Sequence, residues 1–243
     1  MSSSKTKEIL FLTGASGQLG QAIYKKLCNE YDIFSLDISY SNEQTNSRIL
    51  KIDISDPSEV SNLFSSINPD VIINNAGISV FTSFMDRSEE ELDHVYEVNL
   101  KGTINMINSF ARANKENKKL KRIVNISSLY GVVSADPRIY TDCDRNSPEI
   151  YAATKAGVIQ LTKYYCVHLR DMNVRVNCIS PGGIFNPNDP QGDDFIKNYS
   201  ERCPMKKMGS AEDIADGVCF LSSKESSYIN GHNLVIDGGF TAW

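Results

Sequence analysis

The fold class this sequence predicts is a doubly wound, mainly parallel α/β sheet of about seven strands with helices on both faces. Three observations predict it. Short apolar runs suited to buried strands alternate with helical stretches from end to end. A glycine-rich turn, Thr13-Gly14-Ala15-Ser16-Gly17-Gln18-Leu19-Gly20, follows the first run directly and opens the first helix. No composition break and no domain-sized repeat divides the chain, so residues 1–243 are expected to form one domain, with substrate-side loops at about 132–148 and 186–205.

Taken in order, Glu8–Leu12 is the first strand and the helix after the turn runs from Gln21 to Asn29. Glycines in such a turn let the backbone approach a diphosphate, and the helix N-terminus offers free N–H groups and a positive dipole end. Gly14, Ser16, Gly17, Gln18 and Leu19 are therefore candidate cofactor contacts. Asp32–Asp37 is the second strand, and it ends in an acid 23 residues after Gly14. A carboxylate there accepts hydrogen bonds from both adenosine ribose hydroxyls and repels a 2′-phosphate. With no arginine after Asp37 and Ser16 in the turn, NAD(H) is expected over NADP(H); Arg48 and Lys51 are the nearest bases that could reverse this. Ile49–Ile54 is the third strand, with Asp53 and Ile54 placed to flank an adenine ring. Asp56-Pro57 then opens a helix.

Asp70–Asn75 reads as the fourth strand, and the small residues of Asn75-Ala76-Gly77 leave room for a flat ligand at its exit. A long helix is expected from Ser88 to about Asn114, interrupted by Asn99 at an otherwise apolar position. Arg122–Ser128 is the fifth strand and ends in two hydroxyls. After the polar stretch 132–148 comes a helix over Tyr151–Met172. Asn173–Ser180 is the sixth strand, ending at Pro181-Gly182-Gly183-Ile184. Asn186–Arg202, with Asp189, Asp193 and Asp194, is polar and flexible in composition. A helix capped by Ser210 and a closing strand over Gly231–Asp237 finish the pattern.

Tyr151-Ala152-Ala153-Thr154-Lys155 carries the chemistry. A phenol and an ammonium four residues apart share one helix face. A phenol titrates near 10, too high for acid/base work at neutral pH, and a neighbouring cation favours the phenolate. Other functions are narrowed by composition. Thirty acidic residues against 25 basic ones leave no basic footprint for nucleic acid. No apolar run approaches the roughly 18 residues of a membrane helix, and the start, Met1–Glu8, is polar. The six cysteines are scattered, with no C-x-x-C spacing, which fits reduced thiols in a cytoplasmic protein and no metal site. Cys166, Cys178 and Cys219 read as core.

T-G-x-x-G-x-x-G, N-N-A-G, Asn99, S-x-x-G, Y-x-x-x-K and P-G-G, in this order and with Asp37 and Asp53 between them, resemble the short-chain dehydrogenase/reductase family over the whole chain. The C-terminal half resembles its classical branch. The resemblance implies a Rossmann-type fold and a nicotinamide cofactor that also touches Pro181, Gly183 and Ile184. It implies a catalytic set of Tyr151, Lys155, Ser128 and Asn99. Tyr151 would be the acid/base, and Lys155 would lower its pKa and hold the nicotinamide ribose. Ser128 would bind the substrate oxygen and Asn99 would anchor a water leading to Lys155, while Ser127 would be structural. It also implies a homotetramer or homodimer joined by the two long helices.

Three departures qualify the match. The glycine spacing is that of the extended, sugar-nucleotide branch. Ser128 and Tyr151 stand 23 residues apart, which marks 132–148 as an insertion. Asn186 occupies the position of a family threonine. The expected activity is NAD(H)-dependent interconversion of an alcohol and a carbonyl on a small polar, sugar-like substrate. Alternatives are a nucleotide-sugar epimerase or dehydratase with recycled NAD and a non-catalytic nucleotide-binding regulator.

Overall fold

The computed structural model describes residues 6–41, 46–117, 119–141, 147–188 and 191–243. Seven strands, β1 (Glu8–Thr13), β2 (Tyr31–Leu36), β3 (Ile49–Leu50), β4 (Val71–Asn74), β5 (Lys121–Ile126), β6 (Val174–Pro181) and β7 (Asn233–Ile236), form one sheet in the order β3-β2-β1-β4-β5-β6-β7. Every pairing is parallel. The helices are α1 (Gln18–Leu27), α2 (Pro57–Ser66), α3 (Glu89–Tyr96), α4 (Thr103–Ala113), α5 (Glu149–His168), α6 (Asp193–Arg202) and α7 (Ala211–Ser222).

Side chains alternate across each strand, and this sorts the core into two layers. Leu10, Leu12, Val71, Ile73, Val124 and Ile126 face Ile23 and Leu27 of α1 and Ile214, Val218 and Leu221 of α7. Phe11, Phe34, Ile72 and Ile123 face the other way, against Val60 and Phe64 of α2, Met106 and Phe110 of α4 and Tyr165 of α5. Truncating a buried ring such as Phe11, which sits edge-on between Phe34 and Phe64, costs about 3–5 kcal/mol in sites of this kind.

Four expectations need correction. The third strand stops at Leu50; beyond it the Ile52 N–H reaches only the Asp37 carbonyl, at 3.3 Å, just past the end of β2. The long helix is not regular: residues 97–102 form a π segment between α3 and α4, and Asn99 lies in it. The stretch after β6 is not loop throughout, since α6 folds by burying Phe195 and Tyr199 against Leu129, Ile139 and Phe240. The apolar residues Val158, Leu161, Tyr165 and Leu169 of the Tyr151 helix and its end, which would supply more apolar surface than one sheet contact needs and so pair subunits, are instead buried or partly buried within the chain. The large exposed apolar groups of α5 are Tyr164 and Val167. Of the cysteines, Cys178 and Cys203 are buried while Cys166 and Cys219 are partly exposed, and Cys143 lies outside the described residues.

Candidate active site

The strand order reverses between β1 and β4, so the loops at their carboxyl ends part and leave a crevice. Gly14 has φ +63°, and a Cβ there would approach the Ala76 Cα to 2.7 Å, so only glycine fits where the two loops touch. The contact is tied by Thr13, whose Oγ1 accepts the N–H groups of Asn75 and Ala76, both at 3.0 Å. The Asn75 amide donates to the carbonyls of Thr13 (3.1 Å) and Gly14 (2.9 Å). Its side chain therefore holds the turn, and its backbone with Ala76 and Gly77 lines the crevice.

Helix α1 begins at Gly17 with no side-chain cap and no acid in its first turn. The other helices that start from a loop, α2, α3, α5, α6 and α7, all carry an acid there. The first-turn N–H groups of α1, Gln18 and Leu19 included, thus have no side-chain cap, the arrangement that an anion such as a dinucleotide diphosphate needs. The Gln18 amide reaches across to the Phe185 carbonyl at 2.7 Å, and Leu19 packs partly into the core.

At the far end of the crevice a cavity of about 220 Å³ is lined by Gly14, Asp37, Asp53, Ile54, Ala76 and Gly77. Asp37 Oδ2 accepts from the Ser16 N–H (3.0 Å) and hydroxyl (2.7 Å), and Oδ1 from the Ser39 N–H (2.9 Å). Burial pushes this carboxyl up, but the hydrogen bonds from Ser39 and Ser16 outweigh it and hold the pKa below the usual carboxylate value. Asp53 turns its Oδ1 to the N–H and hydroxyl of Ser55, at 2.8 and 2.7 Å.

The other end opens into a cavity of about 340 Å³, where Ser128 and Tyr151 meet Tyr130, Tyr140, Gln191, Phe195 and Tyr199. Behind Tyr151, the Lys155 ammonium is buried, 5.6 Å from the phenol ring centre, and donates to the Ile126 carbonyl at 2.9 Å. Burial lowers its pKa to about 8. The Tyr151 phenol was expected to be lowered by this cation. Instead, burial pushes it up from the ordinary phenol value, and the Ser128 hydroxyl pulls it only part of the way back. Asn99 pairs with the Ile78 backbone in both senses, accepting its N–H at 2.8 Å and donating to its carbonyl at 2.9 Å. The π segment turns this buried amide toward Gly77, where a Cβ would meet Lys155 Nζ at 3.0 Å and Asn99 Oδ1 at 3.3 Å. The Ser127 hydroxyl donates to the Lys155 carbonyl at 2.7 Å, a structural bond.

A family profile described as enoyl-(acyl carrier protein) reductase matches residues 37–241. A short-chain dehydrogenase from Leptospira borgpetersenii, solved with bound NAD+, superposes with a TM-score of 0.89 at 42% identity, over 97% of this chain and 93% of that one. The chain belongs to the short-chain dehydrogenase/reductase family. As a member it is an NAD(P)-dependent oxidoreductase. A 3-oxoacyl-[acyl-carrier-protein] reductase of Rickettsia bellii is 33% identical over 94% of both chains. A 4-hydroxyisoleucine dehydrogenase solved with NADH reaches a TM-score of 0.85 at 28% identity, over 98% of this chain and all of that one.

Of the remaining expected residues of this dehydrogenase/reductase, Gly183 lines the Tyr151 cavity, whereas Pro181 and Ile184 line neither end of the crevice. Pro181 ends β6 opposite Ile236, and the Gly183 N–H donates to the Tyr199 oxygen at 2.6 Å. Ile184 bridges to Gly209. Asn186 turns its amide oxygen to the Asn188 N–H (3.1 Å) and lines a separate hollow with Gln18 and Phe185. Sequence reasoning missed the roles of Thr13, Tyr199 and Gln191. The first is the threonine of the glycine motif and could have been read; the other two depend on α6 and its approach, which no local pattern announces.

Proposed function

We propose that this enzyme interconverts an alcohol and a carbonyl on a small polar substrate with NAD(H), using Tyr151 as the acid/base. The observation that carries the reading is the convergence of Ser128 and Tyr151 on one cavity wall, with Lys155 buried behind and Asp37 at the opposite end of the crevice. The cofactor, when bound, supplies or accepts the hydride. In carbonyl reduction Ser128 holds the substrate oxygen and Tyr151 gives it a proton. Lys155, titrating near 8, exchanges protons close to neutrality and can restore the one lost. Asn99 fixes the Gly77-Ile78 backbone beside that ammonium. Gly14, Gly17, Gln18 and Leu19 receive the diphosphate, and Asp37, with Ser16 and Ser39 behind it, the adenosine ribose.

Preference for NAD(H) rests on the Asp37 carboxylate, which a 2′-phosphate would face. Arg48, the base that could offset it, is held by Asp32 through two bonds of 2.7 Å and stacks 4.5 Å over Phe34. The similar dehydrogenases solved with NAD+ and NADH support the same choice. We place the protein in the cytoplasm as a single domain; among the described residues no helix is long and apolar enough to cross a membrane.

The test is NADH formation across a panel of alcohols, repeated with Tyr151→Phe. The variant is expected to lose turnover and keep NADH binding, because only the titrating hydroxyl is removed. Near-normal kcat in the variant would refute the assignment. Net NADH formation separates this reading from an epimerase or dehydratase that recycles its NAD.

A further inference from the structure

The cavity around Tyr151 is lined by uncharged groups wherever it is described. Among its described residues none is a carboxylate, guanidinium or ammonium; the polar groups are three serines, four phenols and one amide. Against these groups a substrate carboxylate or phosphate would lose its water without gaining a counter-charge. Hydroxyls meet no such penalty, since phenols and serines donate and accept.

Two of these groups stand apart from Ser128 and Tyr151. Tyr140 is delivered by the insertion, which is mounted on α6 at three points. The Asn198 amide donates to the Thr141 hydroxyl at 2.8 Å, the Tyr140 and Phe195 rings lie 5.2 Å apart, and Arg202 pairs with Asp136 at 3.5 Å. The Tyr140 oxygen thereby sits 2.9 Å from that of Tyr130 on the cavity wall. Gln191 is the second. Its Nε2 donates to the Ile184 carbonyl at 3.0 Å, which sets the orientation of the amide, and Oε1 is buried with no hydrogen-bond partner. A desolvated acceptor beside a cavity is satisfied when a ligand brings a donor to it.

We propose that the cavity selects a neutral, polyhydroxylated substrate, and that Tyr140 and Gln191 are specificity-determining residues receiving a hydroxyl other than the one that reacts. This rests on the alcohol/carbonyl reading above. Gln191 Oε1 accepts from that hydroxyl and the Tyr130–Tyr140 pair holds its oxygen. Losing either partner raises KM for a polyol more than it lowers kcat, because the contact is made in ground state and transition state alike.

The experiment measures kcat/KM with NAD+ for D-glucose, D-arabitol, cyclohexanol and 3-hydroxybutyrate, in the native enzyme, Gln191→Leu, Gln191→Glu and Tyr140→Phe. NADH affinity is measured on each variant to verify the fold. The neutral polyols should be preferred over the hydroxy acid. Gln191→Leu and Tyr140→Phe should lower the ratio of polyol to cyclohexanol kcat/KM by roughly ten- to a hundredfold, the usual effect of stranding a buried hydrogen-bonding group. Gln191→Glu, which keeps an acceptor, should retain more of that ratio than Gln191→Leu. Preference for 3-hydroxybutyrate, or a ratio unmoved in both Gln191→Leu and Tyr140→Phe, overturns the proposal and leaves the alcohol/carbonyl reading standing. No NADH formation from any of the four overturns that reading and the proposal with it.

Discussion

Lys155 shows at the scale of one residue how burying a charge opposes stability. Its folded pKa near 8 lies below the 10.5 of an exposed lysine, and burial is the cause. Between about pH 8 and 10.5 the unfolded chain therefore binds more protons than the folded one. Stability from this group must rise with pH across that window, and the whole penalty, on the order of 3 kcal/mol, is present below it. Lys155→Met removes the penalty and strands the Ile126 carbonyl, which returns about 1–2 kcal/mol of it. The variant is expected to be inactive and yet more stable at pH 7, by about 1–2 kcal/mol, with the rise above pH 8 flattened. Denaturant melts at pH 7 and pH 10 measure both effects; a less stable variant at pH 7 would contradict the assignment. Asp37 makes the second prediction at this scale. In the proposed cofactor pose its carboxylate, braced by Ser16 and Ser39, faces the adenosine end, so Asp37→Ala should weaken NADH binding while narrowing a preference over NADPH worth about 2–4 kcal/mol. Fluorescence titration of both reduced cofactors reads this directly. Equal affinities in the native enzyme would mean that Asp37 does not meet the ribose.

At the scale of elements, the start of α1 is the informative one. Gly17 is extended (φ −70°, ψ 166°), and a Cβ there meets nothing nearer than the Gly14 carbonyl oxygen at 3.6 Å. Side chains are therefore accommodated, and a capping acid would favour the isolated helix by a few tenths of a kcal/mol plus its dipole contribution. Glycine at this cap keeps the N-terminus clear for an anion. Gly17→Asp is expected to raise the Tm of the cofactor-free protein slightly and weaken NADH binding at least tenfold. Calorimetry and titration together check it, and unchanged NADH affinity would place the diphosphate elsewhere. The π segment over residues 97–102 is a comparable local sacrifice. It departs from the α-helical ladder and places Asn99 where its amide satisfies both backbone groups of Ile78.

For the whole molecule, assembly is the open consequence of the fold. Tyr164 and Val167 are three residues apart on α5 and about half exposed, at 51% and 55%, outside the chain's own core. We propose that closed, symmetric pairing of α5 and the α3–α4 helix covers them in a homodimer or homotetramer. Light scattering at micromolar concentration should give twice or four times the mass of one chain, and Val167→Glu should lower it. A monomeric native protein would exclude this pairing.

What the sequence by itself determined is what local chemistry encodes. Alternating apolar runs and helical stretches placed all seven strands to within a few residues. The glycines of the first turn, the acid at Asp37 and the Tyr151–Lys155 spacing mark residues that line the two ends of the crevice or lie directly behind it, because strand ends and helix faces are set by local sequence. The tertiary structure decided what depends on partners far along the chain. Tyr199 and Gln191 join the cavity only because α6, whose apolar stripe is Phe195 and Tyr199, folds onto Leu129, Ile139 and Phe240. The raised phenol of Tyr151 and the lowered ammonium of Lys155 are products of burial, which spacing does not report. That Asn75 braces the glycine turn while its backbone lines the crevice follows from where β1 and β4 meet, some sixty residues apart in sequence. Proximity within a turn is written in the order of residues, whereas desolvation and long-range hydrogen bonding exist only once the chain has closed on itself.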